Sequence, residues 1–276
     1  MRKLFVCIAL GLTTLTGNAA SPLWMRDVQI SPDGTEIAFC YKGDIYKVSA
    51  GGGTAIQLTT QPSYECTPIW SPDSKQIAFA SDRNGNFDIF VMPATGGTAQ
   101  RLTTHSSSEL PSTFTPDGKY ILFSASIQDP SQSALVPTTA MTELYKVPVN
   151  GGRTEQVLGT PAEAVCYAPS GEFLLYQDRK GFEDEWRKHH TSSITRDIWL
   201  YDTKTGKHTN LTNHAGEDRN PVLSPDGKSV YLLSERKGSF NVYSFPLDNA
   251  QDLKAVTSFK THPVRFLSMS HGGTLC

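Results

Sequence analysis

His189 and His190 are adjacent, and histidine titrates near neutral pH and ligates zinc, so the pair invites an acid–base or metal reading. Neighbouring side chains point to opposite faces of a strand and diverge on a helix, which makes them a poor ligand pair. Glu183, Asp184 and Glu185 beside Arg187 and Lys188 most simply form a solvated, mixed-charge insertion. The sharper alternative is a substrate-contacting loop whose contacts are Glu185, Trp186, Arg187, Lys188, His189 and His190. Asp82, Asn84, Asn86 and Asp88 alternate like the opening of a calcium loop, but Phe87 stands where such a loop needs glycine and Pro93 where it needs glutamate. A hairpin turn with locally bonded polar side chains is the simpler reading. Thr191, Ser192 and Ser193 carry no mark of activation, and the chain has no G-x-S-x-G, H-E-x-x-H or P-loop pattern. The expectation is a chain with no catalytic, cofactor-binding or metal-ligating residue of its own.

The elements that would position any site are set by a repeat. The phrase Ser31-Pro32-Asp33-Gly34 returns as Ser71-Pro72-Asp73-Ser74, Thr115-Pro116-Asp117-Gly118, Ala168-Pro169-Ser170-Gly171 and Ser224-Pro225-Asp226-Gly227. A worn copy stands at Ser270-His271-Gly272-Gly273, and the intervals are 40, 44, 53, 56 and 46 residues. Proline suits the second position of a tight turn, aspartate bonds back to the local backbone and glycine accepts positive φ, so each copy reads as a hairpin turn. Short apolar runs flank it, such as Ile77-Ala78-Phe79-Ala80 and Tyr120-Ile121-Leu122-Phe123. A second turn (Ser81 to Asn86), a third strand (Asp88-Ile89-Phe90-Val91) and a glycine turn leading to Leu102-Thr103 complete one unit, with echoes in the others. Four hairpin-linked strands repeated at this period predict an all-β propeller, in preference to a β-solenoid. Units begin near Trp24, Glu65, Leu110, Glu163 and Arg219, and a sixth near Pro263 stops at Cys276. The expected fold is a six-bladed type of propeller with five full blades and an incomplete sixth, in a fragment of a longer polypeptide.

Composition excludes some partners. A formal charge of -2 with 19% charged residues lacks the basic excess that a phosphate backbone demands. Arg2, Lys3, the apolar Leu4 to Leu12 and the small residues Gly17 to Ala20 read as an export signal over residues 1–20, with the propeller over 21–276. No later stretch approaches the roughly 20 apolar residues of a spanning helix. Cys7 lies inside the signal's apolar stretch, so lipoprotein attachment is disfavoured. Cys40, Cys66, Cys166 and Cys276 then remain, and they read as small buried residues, with disulfides left open.

The assembled turns and strands resemble the propeller repeats of TolB and of tricorn protease homologues. Gly181 to Ser193, leading into Arg196-Asp197-Ile198-Trp199-Leu200-Tyr201-Asp202, is similar to the matching blade of exported bacterial tricorn-type serine peptidases. That resemblance implies a non-catalytic N-terminal propeller with a peptide-gating or scaffolding role. The catalytic serine, histidine and glutamate would lie in C-terminal domains absent here, and no residue of this chain corresponds to them. It also implies a periplasmic location, with peptides or those peptidase domains as partners, and a homo-oligomer through the parent protein. The alternative is a TolB-like interaction module of the cell envelope. Such proteins place a small α/β domain before the propeller, for which this chain leaves no room after the signal.

Overall fold

The Leu-Thr pair that ends most repeats shows how each blade is closed. In the computed structural model, which describes residues 24–127, 141–181 and 191–276, the threonine hydroxyl accepts the backbone N–H that opens the third strand. Thr59 does this for Ile45, Thr103 for Ile89, Thr212 for Ile198 and Thr257 for Val242, at 2.9–3.0 Å. The outermost strand is only two to four residues long, so a side-chain acceptor finishes what the ladder leaves unpaired. The Ser-Pro-Asp-Gly turns are tied in the same local way. Ser31, Ser71, Thr115 and Ser224 each donate to the aspartate two residues on at 2.6 Å and accept the N–H that starts the second strand.

Five four-stranded antiparallel sheets result, each ordered as in the chain. Blade one holds β1 (Arg26–Ile30), β2 (Glu36–Tyr41), β3 (Asp44–Ser49) and β4 (Ile56–Gln57). Blade two holds β5 (Glu65–Trp70), β6 (Gln76–Ser81), β7 (Asp88–Pro93) and β8 (Gln100–Arg101). Blade three holds β9 (Glu109–Phe114), β10 (Tyr120–Ala125), β11 (Glu143–Pro148) and β12 (Glu155–Leu158). Blade four holds β13 (Ala162–Tyr167), β14 (Phe173–Asp178), β15 (Ile198–Asp202) and β16 (His208–Asn210). Blade five holds β17 (Asp218–Leu223), β18 (Ser229–Ser234), β19 (Asn241–Pro246) and β20 (Lys254–Ala255).

The core lies between blades. Ile77 and Phe79 of β6 pack toward blade one and Ala78 toward blade three, while Ile121 and Phe123 of β10 face blade two and Leu122 faces blade four. Alternation with both faces buried is why these second strands are unbroken apolar runs. Each of their large side chains contributes roughly 1.5–3 kcal/mol of burial.

The expected incomplete sixth blade is not there. Residues 263–276 add no strand to any sheet, and their pairing among the described residues is one isolated bridge, Met269 with Leu275. The segment closes on itself as a short hairpin, Ser268 with Cys276 and Ser270 with Thr274, and so presents too few groups to nucleate a ladder. It instead fills the seam between blades five and one. Val264 N–H donates to Phe240 O, Ile30 N–H to Ser268 Oγ at 3.0 Å and His271 N–H to Pro32 O at 2.7 Å. The architecture is therefore a propeller of five four-stranded blades with a docked tail, not a six-bladed type.

Candidate functional site: the central channel

A backbone irregularity recurs where the first strands line the axis. Opposite their second strands, β1, β5, β13 and β17 each carry a bulge, and the bulge residues Asp27, Thr67, Ala164 and Asn220 have φ of 51°, 48°, 47° and 51°. Left-handed backbone is tolerated by Asp27 and Asn220 but unfavourable for Ala164 and above all for β-branched Thr67, and such strain gathers where a fold re-aims its groups. The bulge turns amides along the wall: Thr67 N–H donates to Asp27 Oδ2 and Asn220 N–H to Gln177 Oε1. Blade three has Pro111 at this position, whose ring holds φ negative, and its bulge falls on Ser112 instead.

The channel has two parts. A cavity of about 590 Å³ at the starts of the first strands narrows to one of about 210 Å³ toward their ends. Gln29, Ile69, Ser112, Ala164, Asn220 and Leu267, one from each first strand and one from the tail, line both. Polar and apolar groups line both parts in similar measure, and Ile30, Trp70, Val165, Val222 and Met269 join the wall at the throat.

The mouth is also lopsided. On blades two and three its wall carries hydroxyls, among them Ser107, Ser108, Ser124, Ser126 and Thr142. On blades four, five and the tail it carries Arg179, Arg219 and Arg265. The repeat explains this placement. The residue five places before each turn opening is Arg26, Cys66, Leu110, Glu163, Arg219 and, in the tail, Arg265. Glu163 receives Arg179 Nη1 at 2.7 Å, Thr142 Oγ1 at 3.2 Å and Gln177 Nε2 at 3.4 Å. Behind it, buried Arg196 and Glu217 pair at 2.8 Å, and Arg219 lies 3.9 Å from Glu217.

Elsewhere the same turn grammar keeps its ions out of the channel. Buried Glu65 accepts Ser81 Oγ and Arg83 Nη2, each at 3.0 Å, and buried Asp218 accepts Arg236 Nη2 at 2.6 Å. Burial still pushes the Asp218 carboxyl above its ordinary range, against Arg236. In blade four Ala162 takes the place of Glu65 and the acid moves one residue on, to Glu163, which brings it and Arg179 to the channel wall. Blade three keeps the acid as Glu109 but has Ala125 and Ile127 where blade two has Ser81 and Arg83. Burial there raises the Glu109 carboxyl to about 7, with Asp88 adding repulsion and Thr103 and Arg101 opposing.

Glu185, Trp186, Arg187, Lys188, His189 and His190, named as substrate contacts from sequence, lie outside the described residues. Ser192 is bonded within its own turn, its oxygens accepting from Ile194 and Thr195. The calcium-like alternation is dispersed: Asp82 accepts Tyr64 N–H, Asn86 donates to the His105 and Ser107 carbonyls, and Asp88 pairs with Arg101 at 2.7 Å. Among the described residues no group of three or more His, Cys, Asp or Glu could hold a metal ion. Cys40, Cys66, Cys166 and Cys276 are free thiols, and burial pushes Cys40 up to about 11. No helix among the described residues is long and apolar enough to cross a membrane. Sequence reasoning missed the three channel arginines, although their shared repeat position was available to find two of them.

Residues 22–275 match the family model of the tricorn protease N-terminal beta propeller domain. An uncharacterized peptidase of Bacillus subtilis, YuxL, is 32% identical over 72 residues, which is 26% of this chain and 10% of that protein. The crystal structure of the tricorn protease superposes with a TM-score of 0.75 at 22% identity, over 92% of this chain and 25% of that one. A putative TolB from Agrobacterium tumefaciens gives 0.68 at 18% identity, over 86% and 82%. These structural likenesses establish the fold, and the chain spans a tenth of the curated relative and a quarter of tricorn protease.

Proposed function

We propose, from the premise that this chain belongs to the tricorn protease N-terminal β-propeller family, that it is the non-catalytic propeller of an exported serine peptidase and conducts peptides through its axis. The observation that carries the reading is the axial channel, whose wide mouth and narrower throat share a mixed polar and apolar wall drawn from all five first strands. A mixed wall of this kind can meet both the main-chain amides and the side chains of an extended peptide without holding either strongly. Hydrolysis would belong to domains outside this chain, and the signal-like residues 1–20 would direct it to the periplasm. Purified chain incubated with a mixed peptide pool and followed by mass spectrometry should bind peptides and cleave none. Cleavage by the chain alone, or no binding at any concentration up to millimolar, overturns the proposal.

A second reading is a TolB-like interaction module, favoured by the span of the Agrobacterium match, 82% of that chain. Recovery of envelope proteins by the chain under conditions where no peptide binds would favour it over peptide conduction.

A further inference from the structure

Two cysteines meet across the seam between blades one and two. Cys40, on β2, donates its Sγ hydrogen to the Glu65 carbonyl at 2.8 Å, and Cys66 is the next residue along β5. The planar peptide between them then puts the Cys40 sulfur within about 6 Å of the Cys66 Cα. Both side chains look into one core: Cys40 is buried in the cluster that also holds Ile77 and Phe79, and half-buried Cys66 packs against it. The other two thiols lie apart, Cys166 in the cluster between blades four and five and Cys276 in the tail beside Ser268. The alignment of this seam bears on the channel. Thr67, the residue after Cys66, carries a left-handed bulge of the channel wall, and its N–H reaches across to Asp27 of blade one at 3.0 Å.

We propose that Cys40 and Cys66 are a disulfide pair that fastens blade one to blade two in an oxidising compartment. The oxidant is a small disulfide such as oxidised glutathione. One cysteine thiolate attacks it, releasing one glutathione and leaving a mixed disulfide; the second thiolate attacks that protein sulfur and releases the other. Two protein thiols and one oxidised glutathione thus become one protein disulfide and two reduced glutathiones. Side-chain rotation and a small closing of the seam bring the sulfurs to bonding distance. Burial, with the Asp27 carboxylate adding repulsion, holds both thiols above their ordinary range, so thiolate is scarce once the seam has packed. The bond therefore forms while the chain folds and not afterwards. Its chemistry is independent of the peptide-conducting reading.

The test refolds the whole chain from its reduced, unfolded state with and without a mixture of reduced and oxidised glutathione. Free thiols are then blocked and the chain is cut with trypsin without reduction. Cleavage at Lys42 and Lys47 puts the two cysteines on separate peptides, so mass spectrometry should find residue 40 joined to residue 66 in the oxidised sample alone. The linked chain should melt about 5–10 °C above the reduced one. Cys40→Ala and Cys66→Ala should each remove the link and make the melting temperature the same in both buffers. If Cys40→Ala does not fold, Cys66→Ala, at the half-buried position, carries the test. Both thiols remaining blocked, glutathione held on one of them with no link, or a link between another pair in their place overturns the proposal. So does a linked chain that melts no higher than the reduced one.

Discussion

Blades two and three are built from the same turns and strands, yet they treat the same buried acid in opposite ways. In blade two, Glu65 faces Ser81 across the ladder and is reached by Arg83. In blade three, Glu109 faces Ala125, and Ile127 packs into the core where the arginine would be. Glu65 and Glu109 are 0% and 1% exposed, so the difference lies in partners and not in burial. A repeat can therefore preserve a fold while one copy loses the ion pair, provided the orphaned acid can take up a proton. The bulge tells the same story, since Pro111 removes from blade three the left-handed residue that blade two carries at Thr67.

The largest expected effect breaks the well-partnered blade. Arg83→Ala leaves Glu65 buried without its cation and should cost about 3–5 kcal/mol, read from urea unfolding at pH 7. Next comes the pH dependence of blade three. Folding holds the Glu109 proton up to about pH 7, whereas the unfolded chain releases it near 4.5, so this group's stabilisation is complete below pH 4.5 and is lost as pH rises through 7. Asp88 is raised by burial and acts in the same direction. Glu109→Gln should flatten the slope and stabilise the chain at pH 8, by at most on the order of 3 kcal/mol. Unfolding curves at pH 5 and pH 8 check it, and an unchanged slope would reject the assignment.

A smaller effect should come from restoring part of the missing pattern. Ala125→Ser puts a hydroxyl opposite Glu109, as Ser81 stands opposite Glu65, and should raise stability at pH 8 by about 1 kcal/mol and by less at pH 5. The smallest effect belongs to the turns that both blades share. The Ser71 and Thr115 hydroxyls hold Asp73 and Asp117 below the ordinary carboxylate range, so their contribution is present above pH 3.8 and fades as pH falls further. Solvent screens these exposed groups, and Asp73→Asn and Asp117→Asn should shift the acid unfolding midpoint slightly and equally. Unequal shifts would show that the turns, too, have diverged.

Much of this was open to reading along the chain. The Ser-Pro-Asp-Gly turns, the buried second strands and the Leu-Thr endings announced four strands per unit and five complete units. The rim position shared by Arg219 and Arg265 was visible as a spacing, but its meaning was not, because Arg26 occupies the same place without lining the mouth cavity. Arg179 was harder still. It reaches the channel because blade four's acid sits one residue later than blade two's, a shift that matters only once the strand's two faces look onto different surroundings.

The sequence alone determined the local grammar: where strands turn, which faces are apolar and how many full blades follow one another. Those outcomes depend on backbone preference and side-chain period within a few residues, so they are written wherever the residues are. The tertiary structure decided two things that no local pattern contains. It showed the last turn-like phrase closing as a hairpin in the seam between blades five and one, where Ser268 and Val264 find partners outside their own segment. It also gathered hydroxyls from blades two and three against guanidiniums from blades four, five and the tail. Both depend on closing the ring, which brings residues more than two hundred positions apart, such as Ile30 and Ser268, within hydrogen-bond distance.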